Sequence, residues 1–175
     1  MSRILVVFYS YTGTGRRLAR LLGTQQGWPV GEVSELRPRS GKAGTWRCVL
    51  DSLFRRRPAI RYDGPALRNF DVVVLIAPIW AGQLAGPMRS FVAELRTALP
   101  EVAVLSVMGS VGAPAAAAEI AQWTRETPLL AGAFTSREVN DGSCAGRLQA
   151  FGDAIRASRN SSTPTRPAPW SPQAA

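Results

Sequence analysis

Residues 71–82 read Asp71-Val72-Val73-Val74-Leu75-Ile76-Ala77-Pro78-Ile79-Trp80-Ala81-Gly82. Six apolar residues in a row, mostly β-branched, are too few for a helix of their own. They suit a strand buried on both faces, as in a parallel sheet. The run then breaks abruptly into proline, an aromatic ring and glycine. A tryptophan just past a buried strand, between Pro and Gly, is costly to leave exposed. It offers a flat face for stacking.

The same shape occurs at the N-terminus. Residues 3–8 are almost wholly apolar, and residues 8–15, FYSYTGTG, hold five hydroxyl-bearing residues and two glycines. Working outward, Leu18, Leu21 and Leu22 place a helix over 13–24, ended by Gly27 and Pro29. Val30, Glu32, Val33 and Leu36 alternate as a second, outer strand. Trp46, Val49, Leu50, Leu53 and Phe54 predict an amphipathic helix over 44–56. Pro87 opens a helix over about 86–98, VAVLSVM at 102–108 is another strand, and 115–125 is helical. A last strand over 128–134 and a helix over 143–158, with Leu148, Phe151 and Ile155 on one side, follow. The domain spans 1–156, and residues 157–175 read as a disordered tail rich in Ser, Pro and Ala.

Strand and helix thus alternate five times, which argues for parallel βαβ units under helices. Five strands is the count of the flavodoxin-like doubly wound sheet, order 2-1-3-4-5, with helices on both faces.

Composition narrows the chemistry. The chain of 175 residues has no histidine, which excludes imidazole general-base catalysis and any Ser-His-Asp arrangement. Cys48 and Cys144 have no metal-like spacing, so no metal site is expected. No apolar run reaches the roughly 20 residues a membrane span needs, and the N-terminal run is too short for a signal peptide. A cytoplasmic location is expected. The formal charge is +9, and residues 36–62 carry eight basic residues against Asp51 alone. Such a segment suits an acidic protein surface, at Arg55-Arg56-Arg57 above all, or else a solvated helix. No nucleic-acid binding is expected, and either a monomer or a dimer fits.

In a doubly wound sheet, ligands lie beyond the carboxyl ends of the strands where the strand order reverses. Three loops should meet there: Ser10–Gly15, Pro78–Gly82 and Met108–Gly112. Ser10, Tyr11, Thr12, Gly13, Thr14 and Gly15 have the chemistry of a phosphate cradle, with backbone donors at a helix start and neutral hydroxyls. One helix cap needs one hydroxyl, and here there are three. No lysine follows as in a nucleoside triphosphate loop, and the spacing lacks GxGxxG. Pro78, Ile79, Trp80, Ala81 and Gly82 supply a platform for a planar ring. Met108, Gly109, Ser110 and Gly112 allow the backbone to approach its far edge. A phosphate cradle beside a ring platform describes FMN.

Ser10-x-Thr12-Gly13 resembles the flavodoxin phosphate loop. Pro78-Ile79-Trp80-Ala81-Gly82, followed by Pro87, Ser90 and Phe91, is similar to the PIWxG…P…SF pattern of flavodoxin-family proteins. The segment Gly41–Arg57 also resembles the second-helix region of a less studied branch of that family. The similarity covers about residues 1–156. It implies non-covalent FMN, with the first loop on the phosphate, Trp80 flanking the isoalloxazine, Ala81 or Gly82 near flavin N5, and the third loop at the pyrimidine edge. The chain departs from the family at Gly15, where a Thr or Ser is usual, at Val111, where carriers often place an aromatic, and in its basic charge.

The implied function is electron transfer through bound flavin, as a carrier or as a small NAD(P)H-dependent reductase resembling the quinone reductases. A redox partner protein or a small acceptor would take the electrons. No side chain is expected to be catalytic, because the cofactor supplies the chemistry. None of the three loops contains Asp or Glu, so the potential should be less negative than in acidic flavodoxins. The alternative is a flavin-free scaffold that docks through the basic segment 36–62 on an acidic partner.

Overall fold

The computed structural model describes residues 2–36, 57–80, 82–108 and 113–160. The predicted helix over 44–56, Ala81, residues 109–112 and the tail beyond 160 lie outside that set.

The strands are β1 (Ile4–Tyr9), β2 (Val30–Glu35), β3 (Ile60–Asp63), β4 (Val72–Trp80), β5 (Gln83–Leu84), β6 (Glu101–Met108) and β7 (Ala131–Thr135). The helices are α1 (Thr14–Gln26), α2 (Gly86–Leu95), α3 (Ala113–Thr124), α4 (Ser136–Asp141) and α5 (Ala145–Asn160). The last of these runs four residues past position 156. A short 3₁₀ turn, Leu67–Asn69, leads into β4.

Period-two alternation within β1 and β4 builds both cores. Ile4, Val6 and Phe8 face one side with Val72, Val74 and Ile76, where α1 and α5 cover them with Leu18, Leu22, Leu148, Phe151 and Ile155. Leu5, Val7 and Tyr9 face the other side with Val73 and Leu75, under α2 and α3 with Met88, Phe91, Val92, Ala116 and Ile120. This is the physical reason β1 and the first half of β4 read as unbroken apolar runs. Each is buried on two faces at once. Cys144 belongs to the first core, and burial pushes its thiol up from its ordinary value. Among the described residues no helix is long and apolar enough to cross a membrane.

The sheet runs β3-β2-β1-β4-β6-β7, with β5 paired to β4. Pairings among β2, β1, β4, β6 and β7 are parallel, whereas β3 on β2 and β5 on β4 are antiparallel. The expectation of five strands, all parallel, is therefore corrected to seven strands in a mixed sheet. Strand β3 has no strong local pattern: its four residues are alternately half-buried and exposed. It is held by β2 and by Tyr62, whose ring fills the space above Gly31 and Gly64 where any Cβ would collide. The strand β2, expected to be outermost, is covered by it. Helix α4 was also unforeseen. It is built on a capping box, with Thr135 and Glu138 each satisfying the other's backbone N–H.

Candidate functional site

All five mutually parallel strands end at the same edge, so the connections after β1, β4, β6 and β7 open together. Between β1 and β4 the chain order reverses, and a cavity of about 210 Å3 lies there.

Its first wall is the loop from β1 into α1, with Ser10, Tyr11, Thr12, Thr14 and Gly15 lining the space. Gly13, at φ +91°, donates its N–H to Ser10 Oγ at 3.0 Å. Accepting that bond fixes the Ser10 side chain and leaves its hydroxyl proton available. Thr12 and Thr14 bring their Oγ1 atoms to 3.4 Å of each other. Helix geometry leaves the N–H groups of Thr14, Gly15 and Arg16 without intrahelical acceptors. No acidic residue sits in that first turn to compete for them. Gly15 packs so closely that a Cβ would stand 2.9 Å from the Tyr9 carbonyl oxygen and 3.3 Å from Ser10 Cβ. The glycine that departs from the family pattern is thus one this backbone path requires. The position has no room for a hydroxyl side chain.

The second wall is the end of β4, with Pro78, Ile79 and Trp80. The strand folds back on itself as a hairpin, Ile79 opposite Leu84 and Trp80 opposite Gln83, through a turn in which Gly82 has φ +75°. Trp80 meets Tyr11 edge to face, with centroids 5.8 Å apart and planes at 74°. The indole N–H of Trp80 is buried and has no acceptor among the described residues. A buried donor left without a partner costs about 1–3 kcal/mol.

Val107 and Met108 at the end of β6 and Ser136 at the start of α4 complete the lining. None of these lining residues carries a charge.

The cavity therefore gathers Ser10, Tyr11, Thr12, Thr14, Gly15, Pro78, Ile79, Trp80 and Met108 of the predicted set. Gly13 shapes the first loop and Gly82 the hairpin turn without lining the space. Ala81, Gly109, Ser110 and Gly112 lie outside the described residues. Sequence reasoning missed Val107 and Ser136. Ser136 was findable: Thr135-x-x-Glu138 is a helix-start signature placed directly after the last strand.

The donor set fits a phosphate group joined to a flat heterocycle. Neutral hydroxyls and helix amides suit the anion, and the aromatic side chains of Tyr11 and Trp80 suit a flat ring.

No protein-family model matches the chain, and no curated protein matches it in sequence. Solved structures do match in shape. A flavoprotein of Lactobacillus acidophilus NCFM in complex with FMN is 19% identical, with a TM-score of 0.65, covering 82% of this chain and 99% of that one. A Bacteroides eggerthii protein is 19% identical at a TM-score of 0.66, covering 86% and 98%. A flavodoxin, WrbA-like protein of Agrobacterium tumefaciens is 12% identical at 0.59, covering 91% and 99%. The chain has the flavodoxin-like fold.

Proposed function

We propose that this chain is a small FMN-binding redox protein, the cofactor held non-covalently in the cavity between β1 and β4. One observation carries the reading. The hydroxyl and amide donors at the start of α1 share a single cavity with the Trp80 side chain. The Lactobacillus flavoprotein, of similar fold, was solved with FMN, which supports the same choice of ligand.

Ser10, Thr12, Thr14 and the first amides of α1 would take the phosphate. Trp80 would pack against the ring, Tyr11 would support Trp80 edge-on, and Val107 and Met108 would close the far side. Bound FMN supplies the electron-transfer chemistry. The residues of the chain bind, orient and shield. Because no carboxylate is among the described residues lining the cavity, negative charge added there meets little local repulsion from them, and the reduction potential should be less negative than in acidic carriers.

The test is a visible spectrum of the purified protein followed by titration of FMN-free protein with FMN, read by quenching of flavin fluorescence. Stoichiometric binding, with quenching reduced by Trp80→Ala, supports the reading; absence of binding at high FMN defeats it. Oxidation of NADPH by the loaded protein then separates a reductase from a passive carrier.

A second reading concerns the partner. Glu35 pairs with Ile60, and Leu36 donates its N–H to the Ala59 carbonyl at 3.1 Å. The residues bracketing the basic segment therefore stand at the site-side edge of the sheet. An acidic redox partner would be drawn to that edge, and Arg55, Arg56 and Arg57 changed together to Glu should abolish its capture.

A further inference from the structure

The side of the molecule beneath the hairpin holds a charge pair that the proposed function does not use. Arg89, in the second turn of α2, is 1% exposed, and Glu119, in α3, is 8% exposed. Arg89 Nε donates to Glu119 Oε1, and a terminal guanidinium nitrogen lies 3.3 Å from Oε2. The guanidinium also donates to the carbonyl oxygen of Leu84 at 3.0 Å.

That third contact is the informative one. The Ala85 N–H donates to the Pro78 carbonyl at 3.2 Å, which makes Pro78 and Ala85 a hydrogen-bonded pair. Antiparallel pairs alternate, so Ile79 and Leu84 form a non-hydrogen-bonded pair and the Leu84 carbonyl points away from β4. With Leu84 1% exposed, this carbonyl would be a buried orphan without Arg89. Hydrophobic packing alone would not hold a two-residue strand in one register. The Trp80 turn lies just beyond it.

We infer that Arg89 and Glu119 form a positioning strut that ties the β4–β5 hairpin to α3 and thereby sets where Trp80 stands in the cavity. Arg89 is not one of the residues lining the cavity, and it meets the hairpin at Leu84. A buried ion pair is poor evidence of stability, because well-packed apolar residues of similar volume often replace it without loss. Its value here is geometric, since the planar fork can hold the carboxylate and the carbonyl together. The inference about the hairpin stands on its own; its consequence for FMN rests on the function proposed above.

The double variant Arg89→Met with Glu119→Leu removes both charges and keeps the volume. Arg89→Lys keeps the charge and loses the fork. Both are compared with wild-type protein by urea unfolding, by amide hydrogen exchange at Gln83 and Ala85 without flavin, and by FMN titration. We expect a double variant folded with a urea midpoint near that of wild type, exchange at the hairpin faster by roughly tenfold or more, and FMN affinity lower by a similar factor. Wild-type exchange rates in a folded variant would overturn the strut. If the double variant fails to fold, Arg89→Lys decides by the same exchange reading. Faster exchange in variants of a wild-type protein that binds no FMN would uphold the strut and sink the FMN reading alone.

Discussion

The two principal walls of the cavity are built by different means. The loop from β1 into α1 is organised by its own residues. Gly13 donates to Ser10 three positions back, Thr14 faces Thr12, and Gly15 rests on the Tyr9 carbonyl. The hairpin that carries Trp80 is short, with a two-residue strand β5 and the Ala85–Pro78 bond at its base, and its Leu84 carbonyl is satisfied by a guanidinium held by Glu119, 30 residues beyond Arg89. A wall made locally can be read from a short stretch of chain. One made by distant partners cannot.

Substitutions can break this contrast, and the largest effect should come from the distant partner. Glu119→Ala leaves the Arg89 charge buried without its carboxylate, and should cost about 3–5 kcal/mol in urea unfolding. A loss under about 1 kcal/mol would mean that the guanidinium finds water, and that the hairpin is less dependent on α3 than the contrast requires. Next comes the local wall. Gly15→Ala drives a Cβ into the Tyr9 carbonyl and should cost about 1–3 kcal/mol, with FMN binding weakened because the loop must shift. Full stability and full binding would show a backbone path that yields easily.

A smaller loss, about 1–2 kcal/mol by thermal unfolding, is expected for Gly82→Ala, whose φ of +75° is unfavourable for alanine. Thr12 is exposed. Thr12→Ala should leave stability within about 0.5 kcal/mol of wild type and lower FMN affinity roughly tenfold, measured by fluorescence titration. An equal loss of both would assign Thr12 to folding of the loop.

The smallest effect concerns the corner after β7. Burial pulls the Glu138 carboxyl upward, but hydrogen bonds from the Thr135 N–H and hydroxyl, together with the Arg147 guanidinium, outweigh it and leave the group below its ordinary 4.5. A carboxyl depressed by folding stabilises the protein above its ordinary titration range, and that contribution fades as the pH falls through the folded value. Glu138→Gln should therefore flatten the acid limb of stability against pH. An unchanged acid limb would place the sensitivity elsewhere.

The fold was largely legible because its central strands are buried on both sides. The runs Val72–Ala77 and Ile4–Val7 announce themselves by having no polar position at all. The first wall was legible for the reason already given: its donors are neighbours in sequence. At Gly15 the family pattern suggested a lost hydroxyl, and the packing against Tyr9 supplies the cause. Strand β3 was not legible, because Ile60–Asp63 is a strand only with β2 beside it and Tyr62 seated over two glycines. Nor was the strut. An arginine inside an apolar helix reads as a solvated charge until a carboxylate from another helix is placed against it.

What the amino-acid order determined by itself was the alternation of elements, the two-sided burial of the central strands and the donor-rich loop at the first helix. Each follows from interactions among residues a few positions apart, or from periodicity along one element. The tertiary structure alone decided the two antiparallel strands, the orphaned Trp80 N–H, and the joining of Arg89, Leu84 and Glu119. Those depend on which backbone and side-chain groups burial leaves unpaired. That is settled only when distant segments pack together and water is gone.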